Sequence, residues 1–282
     1  MRVHKSPIAR LADVATYVAA VPIAAFFLIP LVWLGSLAVR TPQEIFLGAS
    51  RFIPENPTLD NFTRVLTDSG FLVYLGNALK LSALGGAGAV LVAAPAAYAF
   101  SRLRFRGRGT LMTAILAVQM VSGLVILIPL YRYMGRLGLI DTHTGVVAIY
   151  VAIGLPISVW LLKNAFDGVP MVLEEAAAID GYNRFETFLK VTLPLAAPGI
   201  ASALIINMIL NWSQFLVPFI MLTADSKWPI SVAIYNYAGS TTASTTQLLA
   251  AACLVTIVPA IVAFLLLQRA IVSALTAGAV KG

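Results

Sequence analysis

The stretch EEAAAIDGYNRFETFLKVTLPLAAPG, from Glu174 to Gly199, interrupts a chain that is otherwise mostly apolar. Six charged residues stand between positions 174 and 190, although charged residues make up only 11% of the sequence. Charged side chains at this density are strongly disfavoured in the apolar interior of a membrane, so we expect this stretch to lie in water.

The same stretch contains residues that typically start and end short helices. Pro170 and Gly181 predict a first helix over about 170–180, because proline favours the first turn of a helix and glycine follows its end. A second short helix is predicted from about Arg184, broken by Pro194. Helices of this length cannot span a bilayer, which requires about 20 apolar residues.

The composition of the whole chain indicates an integral membrane protein. Its 282 residues are 60% hydrophobic with a mean hydropathy of +0.90, whereas soluble domains are about 45 to 50% apolar. The single cysteine, Cys253, and two distant histidines provide neither a disulfide framework nor a metal-ligand cluster. The net charge of +7 comes from scattered basic clusters, so nucleic acid is not an expected partner.

Six apolar runs are long enough to cross a membrane, which predicts an all-α, polytopic helical bundle built as a single domain over 1–282. The runs cover about 14–39, 71–101, 111–134, 144–164, 197–223 and 247–269. The loop of about 165–196 separates the fourth run from the fifth. The first run is also compatible with a signal peptide, but it is longer than the usual apolar region of one, which favours a retained helix.

The distribution of basic residues predicts the orientation of the bundle. Twelve lysines and arginines fall on the side of the termini and of loop 165–196, against six on the other side. The positive-inside rule therefore places both termini and this loop in the cytoplasm, with the chain crossing the cell membrane several times.

Polar side chains within or near the spans have two interpretations, interhelical hydrogen bonding or a path that a hydrophilic solute can wet. Asn207, Asn211 and Gln214 follow the spacing of one helix face, which favours the path in the fifth run. For the other runs, hydrogen bonding is favoured. The candidate path residues are Asn77, Gln119, Asn207, Asn211, Trp212 and Gln214.

The two short helices of the loop need a surface to bind. Carboxylates at Glu174 and Glu175 are unfavourable against anionic lipid, so a protein partner is expected rather than the membrane surface. The chain contains no G-x-x-x-x-G-K-[ST] phosphate loop, and we expect it not to hydrolyse ATP itself.

The spacing Glu175-Ala176-Ala177, three residues, Gly181, nine residues, Val191-x-Leu193-Pro194 resembles the signature of permease subunits of ABC importers, with valine in place of isoleucine. Further stretches resemble the carbohydrate-uptake branch, in particular the maltose-type second permease. These stretches are TLDNF from Thr58, AYAFSRLRFRGRG from Ala97, LGLIDTHTG from Leu137, LPISVWLLKNAF from Leu155 and LTAGAVKG from Leu275.

The resemblance implies that the loop forms coupling helices that seat on a cytoplasmic ATPase. The implied coupling residues are Glu174, Glu175, Ala176, Ala177, Asp180, Gly181, Leu193 and Pro194. The resemblance also implies several partners, which are a second permease subunit, a dimer of ATPase subunits that bind ATP and Mg²⁺, an external solute-binding protein and a sugar solute. The chain itself would be embedded in membrane lipid and would bind no cofactor. The charges of the loop would then form a docking surface.

The C-terminal tail, with Gly278 and Lys281, is expected to contact the ATPase interface, the alternative being a frayed terminus. The fifth run reads NWSQFLVP from Asn211, which departs from the pattern of the branch, so no sugar contacts transfer to its residues.

Other function classes fit less well. A permease of another ABC import class remains an alternative. An ion-coupled secondary transporter or a membrane-embedded enzyme commonly uses ionisable groups within the spans, where only Lys80 stands out in this sequence.

Overall fold

A computed structural model of the protein describes residues 7–47, 52–67, 69–239 and 246–277. All the regular structure in this part of the chain is helical, as the composition predicts. The helices are α1 (Pro7–Ala38), α2 (Pro42–Phe46), α3 (Asp60–Thr67), α4 (Ser69–Arg102), α5 (Arg108–Ala117), α6 (Gly123–Arg136), α7 (His143–Asp167), α8 (Met171–Ile179), α9 (Arg184–Thr187), α10 (Leu193–Leu195), α11 (Ala197–Trp212), α12 (Leu216–Met221), α13 (Ile230–Gly239) and α14 (Thr246–Ala277).

Three of these helices are long and apolar enough, each by itself, to cross a membrane. They are α4, α7 and the Ala20–Ala38 part of α1, and two sharply bent helix pairs raise the number of candidate spans to as many as five. The predicted runs 71–101 and 144–164 lie within α4 and α7.

The third predicted run, 111–134, is not one continuous helix. Its two halves, α5 with a 3₁₀ turn at Val118–Met120 and then α6, meet at an angle of 94°. Val121 adopts extended backbone, and Ser122 also has a non-helical ψ, the two values being 127° and 129°. Two residues with non-helical ψ interrupt the hydrogen-bond ladder of a helix. Hydropathy does not detect this break, because both halves are equally apolar.

The fifth predicted run, 197–223, is also divided, since α11 ends at Trp212 and α12 begins at Leu216. Pro218 in α12 has no backbone N–H, so the carbonyl of Gln214 lacks the usual helical donor. The hydroxyl of Ser231 donates to that carbonyl instead, at 2.8 Å. The expectation that Gln214 continues the helix face of Asn207 and Asn211 is therefore wrong.

The described residues fall into two compact units. The smaller contains residues 7–47 and 52–67 together with 236–239 and 246–255, and the larger contains residues 69–235 and 256–277. In the smaller unit, Asn61 Nδ2 donates to the carbonyls of Ala38 and Arg40, at 2.8 Å each. This amide joins the start of α3 to the last residue of α1 and to the segment that follows it.

In the larger unit, α4, α7 and α11 pack against one another, and small residues permit their close approach. A Cβ on Gly154 of α7 would lie 2.3 Å from Asn207 Oδ1 of α11. A Cβ on Gly85 of α4 would lie 2.7 Å from Tyr150 Cβ of α7. Side chains larger than hydrogen at these two positions would force the helices apart.

In the same unit, an ion pair joins the turn before α7 to the turn after α12. It lies before the first residue of α7, whereas the 165–196 loop follows the other end of that helix. Asp141 Oδ1 accepts the backbone N–H groups of Thr223 and Ala224, at 2.9 and 3.1 Å. Lys227 Nζ lies 2.5 Å from Asp141 Oδ2. We call these four residues the Asp141 clasp. Lys227 first, and then the two backbone donors, hold the pKa of Asp141 well below its usual range.

Candidate functional site

The candidate site is the loop between α7 and α11, which carries α8, α9 and α10. Pro170 precedes α8, which ends at Ile179, close to the predicted bounds of 170–180. The backbone N–H of Gly181 donates to Ala178 O and that of Tyr182 to Ala177 O, at 3.2 and 3.0 Å. These bonds satisfy the last carbonyls of α8 and turn the chain toward α9.

Gly181 has a φ of +89°, in the left-handed region. A residue with a Cβ rarely adopts this conformation, which explains why glycine follows the end of α8. An ideal Cβ at Gly181 would meet nothing within 4 Å, so the restriction at this position comes from the backbone rather than from a neighbour.

Asn183 starts α9 with a reciprocal cap. Its Oδ1 accepts the backbone N–H of Phe185 and of Glu186, at 3.0 Å each, while Glu186 Oε2 accepts the N–H of Asn183 at 3.1 Å. Three backbone N–H groups at the start of the helix are satisfied in this way. The N–H of Asn183, and then Lys190, hold the pKa of Glu186 below its usual value.

The prediction that Pro194 breaks the second short helix is wrong. Helical backbone continues from Arg184 to Leu195 through a π turn over Phe188–Thr192, and Pro194 lies inside it. The N–H of Leu193 bonds to Phe188 O, five residues back. This wider turn accommodates a residue that lacks an N–H and whose ring crowds the preceding turn. The break follows at Ala196, where the next helix departs at 76°.

Most of the predicted coupling residues lie on the outer surface of this loop. Glu175, Ala176, Asp180, Gly181 and Pro194 are exposed, Leu193 is half-buried and Ala177 is buried.

Large apolar side chains share this surface. Val172, Ile179 and Phe185 are 69%, 88% and 68% exposed. Sequence reasoning, which followed the charges, missed them. Exposed apolar side chains beside charged ones are typical of a protein-binding surface.

Glu174 departs from the expected docking surface. Its side chain is only 7% exposed, and its Oε1 accepts Arg102 Nε at 2.8 Å. Thr192 Oγ1 donates to the same oxygen at 2.8 Å, and the Tyr98 hydroxyl donates to Oε2 at 3.2 Å. Positions 174 and 177 share the inner face of α8 because they are three residues apart. The interpretation of Glu174 as a docking charge is therefore wrong.

Arg102, the last residue of α4, extends this cluster to the end of α7. Its second terminal nitrogen donates to the carbonyls of Phe166 and Val169, at 2.9 and 2.8 Å. We call Tyr98, Arg102, Glu174 and Thr192 the Arg102 anchor. In the sequence, Arg102 stands out only as one of the basic residues that predict the orientation, because its partners are 64 to 72 positions away.

The candidate path residues are not gathered in one place. Asn207 is fully buried, and its amide donates to Ser158 Oγ and to Ala203 O, at 2.8 Å each. Asn211 lies one turn further along α11 and is buried, and among the described residues its Nδ2 has no hydrogen-bond partner. Trp212 is half-buried at the end of α11.

Asn77 and Gln119 lie apart from α11. The amide of Asn77 donates to the carbonyls of Ser226 and Trp228, at 2.9 and 3.0 Å. That of Gln119 donates to Ile153 O at 3.2 Å. Both amides therefore make the interhelical or helix-to-loop hydrogen bonds that the simpler interpretation expects, and the solute path stays a prediction.

The tail residues Gly278 and Lys281 lie outside the described part of the chain. Within that part, no three histidine, cysteine, aspartate or glutamate side chains form a group that would hold a metal ion.

The sequence is similar to a known protein family and to individual proteins of known name. Residues 85–276 match the model of the family described as "Binding-protein-dependent transport system inner membrane component". The trehalose transport system permease protein SugB of Mycobacterium tuberculosis is 34% identical over 258 residues, covering 91% of this chain and 93% of that protein. The trehalose/maltose transport system permease protein MalG of Thermococcus litoralis is 32% identical over 268 residues, covering 94% and 95% of the two chains.

The fold is also found in a solved structure. A chain of the crystal structure of a bacterial ABC transporter involved in the import of the acidic polysaccharide alginate superposes with a TM-score of 0.79. The two chains are 24% identical, and the match covers 94% of this chain and 98% of that one.

Proposed function

The chain belongs to the family of binding-protein-dependent transport system inner membrane components, and from that membership we propose that it imports a sugar or a sugar-like solute. It is the permease of an ABC importer, a multi-pass protein of the inner membrane and not itself an enzyme. The sugar assignment is supported by the relatives, whose names specify trehalose and maltose. A second permease subunit would complete the path.

The permease we propose is a single domain over 1–282 with six spans. The spans are α1, α4, the bent pair of α5 and α6, α7, α11 with α12, and α14. The excess of lysine and arginine on one side supports cytoplasmic termini and a cytoplasmic loop 165–196. A division of the third and fifth spans is compatible with crossing, because irregular backbone is tolerated where protein or a cavity surrounds it.

The loop would be the seat of a cytoplasmic ATPase dimer. The observation that carries this proposal is the surface of α8 and α9, where exposed Val172, Ile179 and Phe185 stand beside Glu175 and Asp180. Apolar side chains would fill a cleft on the partner, and Glu175 would meet a basic residue there. ATP and Mg²⁺ would be bound by the ATPase.

The remaining partners follow the same scheme. An external binding protein would deliver the solute, as the family description indicates. Closure of the ATPase pair around ATP would move the coupling loop and switch the bundle between inward and outward opening. Gly278 and Lys281 would contact the ATPase interface from the C-terminal tail, and Asn207, Asn211 and Trp212 would be the first candidates for a solute path.

Charge reversal at Glu175→Lys tests the docking surface. The variant should insert and pair with its partner permease, but retain the ATPase at least about tenfold less firmly, because a like charge facing a basic residue costs several kcal/mol. Solute-stimulated ATP hydrolysis and uptake should fall with it. Asp225→Lys is a control, since Asp225 is also exposed and lies on the predicted external side.

Normal uptake by the Glu175→Lys complex would sink the docking assignment. A wild-type complex that hydrolyses ATP in response to another class of solute, and not to any sugar, would instead contradict the sugar assignment and favour a different ABC import class.

A further inference from the structure

The coupling helix α8 has only a short covalent connection to the membrane helix before it. Residues 168–170 link the end of α7 to the start of α8. At its other end, α8 continues through the Gly181 turn into α9. No short stretch of chain joins α8 to α4, because Arg102 and Glu174 are 72 positions apart. Contact between α8 and α4 at this point therefore rests on side chains.

The Arg102 anchor makes that contact with opposite charges in a confined place. The side chains of Arg102 and Glu174 are 10% and 7% exposed. Glu174 accepts three donors, from the guanidinium of Arg102 and from the hydroxyls of Thr192 and Tyr98. A carboxylate held by several donors in a low-dielectric site has little freedom to move relative to them.

The anchor also joins α7. Arg102 donates to the carbonyl of Phe166 in the last turn of that helix and to the carbonyl of Val169 in the link to α8, so a single guanidinium bridges α4, α7 and α8. The rings of Tyr98, Phe166 and Phe188 pack beside it, with centroids 4.8 to 6.1 Å apart. The π turn that contains Phe188 and Thr192 is attached to the same point, so both halves of the coupling loop meet there.

We propose that the Arg102–Glu174 pair is the link through which movement of α8 is transmitted to α4 and α7. Glu174 and Arg102 are positioning residues, which contact neither the solute nor the ATPase. When the ATPase displaces α8, the pair makes the ends of α4 and α7 follow, because sliding would separate two buried charges. This inference rests on the proposed docking of the ATPase on the outer surface of α8.

The proposal predicts variants that bind the ATPase but are uncoupled. Glu174→Gln, in the complex reconstituted in liposomes with its ATPase and binding protein, should keep the ATPase at the wild-type ratio. The number of solute molecules imported per ATP hydrolysed should fall at least about tenfold, the equivalent of about 1.4 kcal/mol of lost coupling. A merely structural role would lower import and hydrolysis together and leave this ratio unchanged.

A graded series guards against a variant that does not assemble. Thr192→Val and Tyr98→Phe each remove one donor to Glu174 while keeping the shape of the side chain. Arg102→Lys keeps the positive charge but loses the planar set of N–H donors of the guanidinium. Import per ATP should fall moderately in the first two and strongly in the third. Asp225→Asn, which removes a charge at an exposed position on the predicted external side, outside both the anchor and the docking surface, is the control and should leave this ratio unchanged.

The possible failures are distinguishable. A wild-type chain that does not co-purify with the ATPase contradicts the proposed function. ATPase-bound Glu174→Gln with the wild-type import per ATP overturns the link while leaving the proposed function intact. If Glu174→Gln does not assemble and the two conservative hydroxyl variants keep the wild-type ratio, the anchor is structural and the inference is wrong.

Discussion

The Arg102 anchor and the Asp141 clasp both tie separate helical segments together through an ion pair, yet they differ in burial. The paired side chains of the anchor are 10% and 7% exposed, and those of the clasp 40% and 28%. Charges in the anchor are withdrawn from water, so each needs the other and its additional donors. Charges in the clasp remain partly hydrated and are screened by salt.

The comparison separates two uses of the same chemistry. The buried pair resists any displacement of one segment relative to the other, which suits the transmission of movement. The clasp gains from backbone donors that hold Asp141 in place, but a hydrated pair contributes little when only its charge is considered. Breaking the Arg102–Glu174 pair is therefore expected to lower the stability of the protein more than breaking the Asp141–Lys227 pair.

The largest effect is expected from breaking the anchor on one side. Arg102→Met leaves Glu174 buried without its cation and removes the donor from two carbonyls, which should destabilise the permease by about 3 to 5 kcal/mol. Replacing both partners, as Arg102→Met with Glu174→Leu, removes the uncompensated charge and should recover part of that loss. Thermal unfolding of the purified permease in detergent measures both.

Equal loss of stability in the single and the double variant would show that burial of an unpaired carboxylate is not the source of the effect. The anchor would then differ from the clasp for a reason other than charge.

A much smaller effect is expected from Asp141→Asn. The amide keeps an acceptor for Thr223 and Ala224 and loses only the charge facing Lys227, so the melting temperature at neutral pH should fall by no more than about 3 °C. The difference from the wild type should shrink at 1 M salt, where the Debye length is about 3 Å.

The pH dependence of the clasp follows from its lowered pKa. Because the pKa of Asp141 is lower in the folded protein than its ordinary 3.8, the ion pair stabilises the fold above that value and loses its effect as the pH falls through the folded one. The gap between wild type and Asp141→Asn should therefore be constant from neutral pH to about pH 5 and close below 3.8. A gap that widens in acid would contradict the assignment of the charge.

Local features of this fold were predictable because their causes are local. The φ of Gly181 and the bounds of α8 follow from residues within a few positions, Pro170 before the helix and glycine after it. The long apolar stretches that became α4 and α7 were equally readable, since their length alone is informative.

Features that depend on distant partners were not predictable. Glu174 and Glu175 are neighbours in sequence, yet one is buried and the other exposed, and nothing before α8 indicates which faces Arg102. The bend at Val121 and Ser122 has no hydropathy signal. The break after Trp212 has a different sequence signal, Pro218, which cannot donate a hydrogen bond to the carbonyl of Gln214. Hydropathy does not detect this signal, because the residues around it form one apolar run.

The most direct test of the central claim, that the outer surface of α8 is the seat of the ATPase, is a photo-cross-link from Ile179, which is 88% exposed. With Ile179 replaced by p-benzoylphenylalanine in the assembled transporter, irradiation should join this chain to the ATPase subunit, identified by mass. The same probe at Phe46, 79% exposed in α2 on the predicted external side, should yield no such product. An ATPase adduct from position 46, or none from position 179 in a complex that still imports its solute, would contradict the account.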